Sequence, residues 1–106
     1  MATDRSDEFL TRLADSNPEL IERVIGRQVE NIEESGLDPR IHALVRIASL
    51  VSVGAPSASF AWQVSLAREA GVSDDEIAGV LVAVGPTAGM PRVVAAAPHV
   101  AAAMSS

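Results

Sequence analysis

Apolar positions in this chain recur at spacings of three and four, and polar caps and breakers separate the runs. That period belongs to helices. A first helix is predicted from about Asp4 to Ala14, with Phe9, Leu10 and Leu13 on one side. Asn17-Pro18 then reads as a cap followed by a first-turn proline. The helix it opens carries Leu20, Ile21, Val24, Ile25 and Ile32 as a narrow stripe on a charged rod and stops at Gly36. Asp38-Pro39 starts a third, with Ile41, Leu44, Val45, Ile47, Ala48 and Val51, broken by Gly54-Ala55-Pro56. Ser57 is the expected cap of a fourth, reaching Ala70 with Gly71 as terminator. Ser73-Asp74-Asp75-Glu76 is a capping box whose acids also suit the helix dipole. The fifth helix is expected to end near Val84, at Gly85-Pro86, and a last one to span Thr87 to Met104, bent near Pro91 and Pro98.

Val51 and Val53 alternate, as do Val80, Val82 and Val84, but both runs lie inside capped, helix-length segments. That outweighs β-branched propensity, and the fold class is all-α. Between Ala43 and Ala67 only Arg46 is charged, which resembles a membrane span. Gly54-Ala55-Pro56 divides that stretch, and each half is shorter than the ~20 apolar residues a span needs. Two buried helices are the expectation, with no membrane partner.

The last three helices are apolar around most of their circumference, and such helices must be covered on all sides. A chain of 106 residues cannot easily enclose three of them. A homo-oligomer using these faces is therefore expected.

Charge sharpens the division along the chain. Residues 1–40 hold five Arg and ten acids, whereas residues 41–106 hold three Arg and four acids. Residues 1–36 read as charged N-terminal helices and 37–106 as the helical core of one domain. A net charge of −6 argues against a nucleic-acid partner, which needs a basic surface. No cysteine is present, which excludes thiolate catalysis, disulfides and Cys-ligated metal. The first ten residues carry no basic stretch followed by an apolar core, so no secretory signal is read and a cytoplasmic location is expected. No phosphate loop or dinucleotide fingerprint follows a strand, and two histidines without core carboxylates are a weak metal signal, so neither cofactor nor metal is expected.

From Leu37-Asp38-Pro39-Arg40 onward the pattern resembles the carboxymuconolactone decarboxylase family, which includes the AhpD-like alkylhydroperoxidases. The resemblance rests on a first core helix ending in the run Ile47 to Val53, then the Gly-Ala-Pro break. Ala67-Arg68-Glu69-Ala70-Gly71-Val72 runs into Ser73-Asp74-Asp75-Glu76-Ile77, followed by Val80 to Val84 and by Gly89-Met90-Pro91. It implies an AhpD-like orthogonal bundle of about six helices, commonly trimeric or hexameric, with a small-molecule site near the start of the second core helix and at subunit contacts. In the peroxidase branch that helix carries Cys-x-x-Cys with a His four residues later. The matching positions here are Pro56, Ser59 and Gln63, and the decarboxylase branch uses the same His position. The family's Arg near the start of the first core helix falls on His42. Gln63 can hold a polar group but cannot shuttle a proton near neutral pH. No catalytic residue is carried over.

Taken as residues alone, His42 and Arg46 are four apart on one helix face. They could grip a carboxylate or simply line a solvated face. Ser59, Trp62 and Gln63 could furnish a polar pair and an aromatic wall. Equally, Ser59 could bond its own helix and Gln63 lie at the surface. His99 reads as a surface or interface residue, and no nucleophile elbow surrounds Ser57, Ser59 or Ser65. The expected ligand site is thus Gln63, Trp62, Ser59, Arg46 and His42. It would serve a small apolar or carboxylate-bearing metabolite, for a lyase, isomerase or cyclase step or for binding alone. The other reading is a non-catalytic oligomeric scaffold.

Overall fold

Helix boundaries fall largely where the polar punctuation of the chain places them. The structure, a computed structural model, describes residues 4–20 and 28–106. The chain divides into two units, Met1–Leu37 and Asp38–Ser106. The first contains α1 (Asp4–Ala14) and α2 (Gln28–Ser35), and residues 18–20 are also helical. Asn17 Oδ1 accepts from the Leu20 N–H at 3.1 Å, the cap bond expected of the Asn-Pro start. Ile21, Val24 and Ile25 of the expected stripe lie outside the described residues. Gly36 stops α2 with φ +70°.

The second unit holds α3 (Pro39–Val53), α4 (Ser57–Glu69), α5 (Asp74–Ala88) and α6 (Met90–Met104). Asp38 caps α3 by accepting from the N–H groups of Arg40 and Ile41, at 2.8 and 3.1 Å. Gly54 closes α3 in the left-handed region, donating back toward Leu50 and Val51. The guanidinium of Arg92 lies against Gly54 where a Cβ would stand, so both backbone angle and space require glycine there. Ser73 and Glu76 form the expected reciprocal box at the start of α5.

Three boundaries differ from expectation. Ser57 does not cap α4; Pro56 takes the extended cap position and offers no side-chain bond. A cap residue must keep non-helical φ/ψ, which Ser57, already helical, does not. Next, α5 runs through Gly85-Pro86 to Ala88. Proline removes one ladder bond, yet Val80, Leu81 and Val84 anchor the preceding turns on the core, and past the proline the Gly89 N–H still bonds back to the Gly85 carbonyl at 2.9 Å. The chain turns instead at Gly89, with φ 89° and ψ 144°. Thr87 and Ala88 therefore finish α5, and Pro91 falls in the first turn of α6, where its missing N–H costs little.

In the second unit α4 packs against α3 and α6, α3 packs against α5, and α5 against α6. The core is Ala43, Ile47 and Val51 from α3, Phe60, Val64 and Ala67 from α4, Ile77 from α5, and Val93, Ala96, Val100 and Ala103 from α6. The sets on α3, α4 and α6 repeat at three or four, and Ile77 is continued by the partly buried Val80, Leu81 and Val84, so one stripe per helix makes the core. No strand occurs among the described residues, and none of their helices is long and apolar enough to cross a membrane.

Candidate functional site

Two helical faces, one turned partly away from the core, define a cleft. On α3 the core stripe runs through Ala43, Ile47 and Val51, while Arg46 and Leu50, four apart, lie beside it. On α4 the core stripe is Phe60, Val64 and Ala67; Ala58, Ser59, Trp62 and Gln63 lie at its border. The Gly54-Ala55-Pro56 break folds α4 back against α3, so the two borders face one cleft of about 390 Å³. Ala58 and Ser59 belong to the first turn of α4, the positive end of its dipole.

Of the five residues expected at a ligand site, four line this cleft: Arg46, Ser59, Trp62 and Gln63. His42, one turn back on α3, is 4% exposed and is not in the lining. A solvated His42 face is therefore overturned: the ring is buried, and burial, followed by the charge of Arg46, lowers its pKa from the ordinary imidazole value. Leu50 and Ala58 were missed. Their signal was spacing alone, Leu50 being four after Arg46 and Ala58 four before Trp62.

The lining is chemically uneven. Trp62 is 60% exposed although most of its side chain is apolar. Arg46 is half-buried. Gln63 is 4% exposed, and its Oε1 is buried without a hydrogen-bond partner among the described residues. Its place at the margin of the core, not on the surface, follows from position: Phe60, Val64 and Ala67 sit three before, one after and four after it. An unsatisfied buried carbonyl oxygen costs roughly 1–3 kcal/mol. The six lining side chains include no His, Cys, Asp or Glu. The cleft can therefore grip an anion, stack a ring and exchange hydrogen bonds; its lining holds no proton-shuttling group.

His99 is half-buried and stacks on Phe60, with centroids 5.8 Å apart and an angle of 19° between the rings. Among the described residues no group of three His, Cys, Asp or Glu side chains could hold a metal ion.

Comparison with curated proteins and with solved structures gave no match. The sequence profile of the carboxymuconolactone decarboxylase family matches residues 18–103. This match starts 37 − 18 = 19 residues before Leu37, so part of the acidic N-terminal region falls within the family pattern. With the helical second unit and the match over most of the chain, the protein belongs to the carboxymuconolactone decarboxylase family.

Proposed function

We propose that the cleft between α3 and α4 binds a small, largely apolar metabolite bearing a carboxylate. The observation that carries this is Gln63 Oε1, a buried acceptor without a partner in the wall of a concave site. Buried polar groups in folded proteins are nearly always paired, so an unpaired one in a cleft wall calls for an explanation, and a ligand's hydrogen bond would supply it. Arg46 would hold the carboxylate and Trp62 would cover the flat or apolar body. Any reaction would be a lyase, isomerase or cyclase step driven by positioning and hydrogen bonding. With no cysteine in the chain, the protein itself can supply no thiolate for peroxide reduction. We place this activity in the cytoplasm, on the strength of the acidic, cysteine-free composition.

The test is thermal unfolding against a panel of aromatic and lactone carboxylates. A ligand at 100 times its Kd adds about 2.7 kcal/mol, a rise of roughly 10 °C or more for a domain of this size. The rise is expected in the wild type and is expected to shrink in Gln63→Ala and Arg46→Ala. A panel in which nothing moves the wild-type Tm would remove the basis for the reading.

A second reading concerns assembly into an AhpD-like, orthogonally packed oligomer, a trimer or hexamer. It is favoured by Val82 on α5 and Val94 on α6, which are 79% and 63% exposed. These belong to helices apolar on nearly every face, and a second copy would cover them. Light scattering should give at least three times the 11.0 kDa chain mass. A protein that stays monomeric at micromolar concentration refutes it.

A further inference from the structure

A second cavity, of about 70 Å³, lies where the Gly54 cap of α3 and the first turn of α4 meet α6. It shares no lining residue with the α3–α4 cleft. Its polar side chains are Arg92 and His99; Gly54, Phe60 and three alanines complete the lining. We propose that this cavity binds a small planar oxyanion, of the size of formate or bicarbonate, between the Arg92 guanidinium and the His99 ring.

Spacing on α6 builds the site. Arg92 and His99 are seven residues apart, two turns of helix, and share one face. Ala95 and Ala96 fall between them, three and four after Arg92, and their methyl groups leave open the space that the two long side chains flank. Both side-chain ends are placed by contacts with the wall. The guanidinium lies against Gly54, where a Cβ would stand. The imidazole is stacked on Phe60, a fully buried ring, and stacking leaves its edge nitrogens available for other bonds. Neither the guanidinium nor the ring nitrogens make a hydrogen bond or ion pair with a described residue.

Arg92 fixes the sign of the ligand, because a guanidinium carries a permanent charge and donors without an acceptor. The whole chain has a net charge of −6, yet no acid lines this cavity. Helices α3 and α6 hold no Asp or Glu, and α4 holds only Glu69, its last residue. The acids of α5 sit in its first turn, at the far end from Gly89 and α6. The C-terminal end of α3 offers Arg92 only a partial negative charge. Volume fixes the size. A water takes about 30 Å³ in the liquid, so roughly three or four heavy atoms fit and an aromatic ring does not. A planar oxyanion can present two oxygens to the guanidinium fork, while His99 donates from whichever nitrogen carries its proton.

The experiment is an NMR titration of the whole isotope-labelled chain at constant ionic strength with formate, bicarbonate and chloride. Formate should give saturating shifts at the His99 ring and at the Gly54 and Ala95 amides. The expected Kd is roughly millimolar, about the limit for so few atoms. Bicarbonate probes the other source of such an anion; saturation by either supports the site, and the tighter of the two names the source. Chloride should give only small, linear shifts. Arg92→Gln should weaken binding about tenfold or more, the worth of a charged hydrogen bond. His99→Phe keeps a ring on Phe60 and removes the nitrogens, and should weaken binding roughly threefold to tenfold, read at Gly54. Linear shifts with both oxyanions overturn the site, as does saturation that survives unchanged in Arg92→Gln. Shifts confined to Arg46 and Trp62 would place the anion in the cleft and also overturn it. Wild-type amide dispersion in both variants shows that they are folded, and the wild-type titration decides the matter without them.

Discussion

Two helix starts in the second unit are built in opposite ways. At α5 Ser73, Asp74 and Glu76 are each bonded within the protein. Ser73 and Glu76 cap each other, Arg40 donates to Glu76 at 2.6 Å and to the Gly71 carbonyl, and Arg68 meets Asp74 through two bonds of 3.0 Å. Arg68 also reaches the Met104 carbonyl at the end of α6. Asp74 is held below the usual carboxylate range, chiefly by the Arg68 hydrogen bond; Glu76 is lowered first by the Ser73 backbone bond and then by Arg40. At α4 the cap is a proline with no side-chain bond, Trp62 is exposed, and Gln63 keeps an unpaired oxygen. The first start is made for stability. The second leaves Trp62 exposed and the Gln63 oxygen unpaired beside a cleft, and unsatisfied groups retain bonding capacity that satisfied ones have lost.

That contrast predicts that removing a polar group beside the cleft and removing one from the α5 start act on stability with opposite sign. The largest effect is expected at the cleft. Gln63→Met removes the orphaned oxygen and should leave stability unchanged or raise it, by as much as about 1–3 kcal/mol in chemical denaturation. A loss of that size would mean that the carboxamide is structural. At α5, Ser73→Ala should lower stability by about 1 kcal/mol, the usual worth of a cap, without altering ligand affinity. A Ser73→Ala protein as stable as the wild type would show that the box contributes nothing measurable.

The smallest effect is a slope with pH. His42 has a folded-state pKa below its ordinary value, so the unfolded chain binds a proton more readily than the folded one. Stability from this residue is fully present above the ordinary pKa of 6.5 and is lost as pH falls from there through the lowered folded value. His42→Gln should flatten the denaturation midpoint between neutral and mildly acidic pH. An unchanged slope would assign the acid sensitivity to the carboxylates near α5. A carboxylate bound at Arg46 would oppose the positive charge that helps lower His42, so the His42 resonances should titrate at higher pH once a ligand is present.

The helices and most of their ends were legible because they depend on neighbours in sequence. Asp38-Pro39, Gly54 and Ser73-to-Glu76 act through backbone bonds within four residues, so reading them needs no tertiary knowledge. Pro86 misled for the complementary reason. Its local effect is to break a helix, but α5 continues past it to Ala88, with the turns before it anchored on the core and the Gly89 N–H bonded to the Gly85 carbonyl. Arg46, Ser59, Trp62 and Gln63 could be named in advance, since polar and aromatic residues stand out in an apolar stretch. Leu50 and Ala58 had only their spacing from Arg46 and Trp62 to mark them, because an apolar side chain among apolar residues does not itself show whether it faces core or cleft.

By itself, then, the sequence determined an all-helical chain, its caps, its lack of thiol chemistry and its family. Only the tertiary structure decided that His42 is buried, that Gln63 ends inside the wall of a cleft, and that its oxygen finds no partner there. Burial and hydrogen-bond satisfaction are set by what another helix brings alongside. That depends on how α3 and α4 meet across the Gly54-Ala55-Pro56 break, a relation that no local spacing encodes.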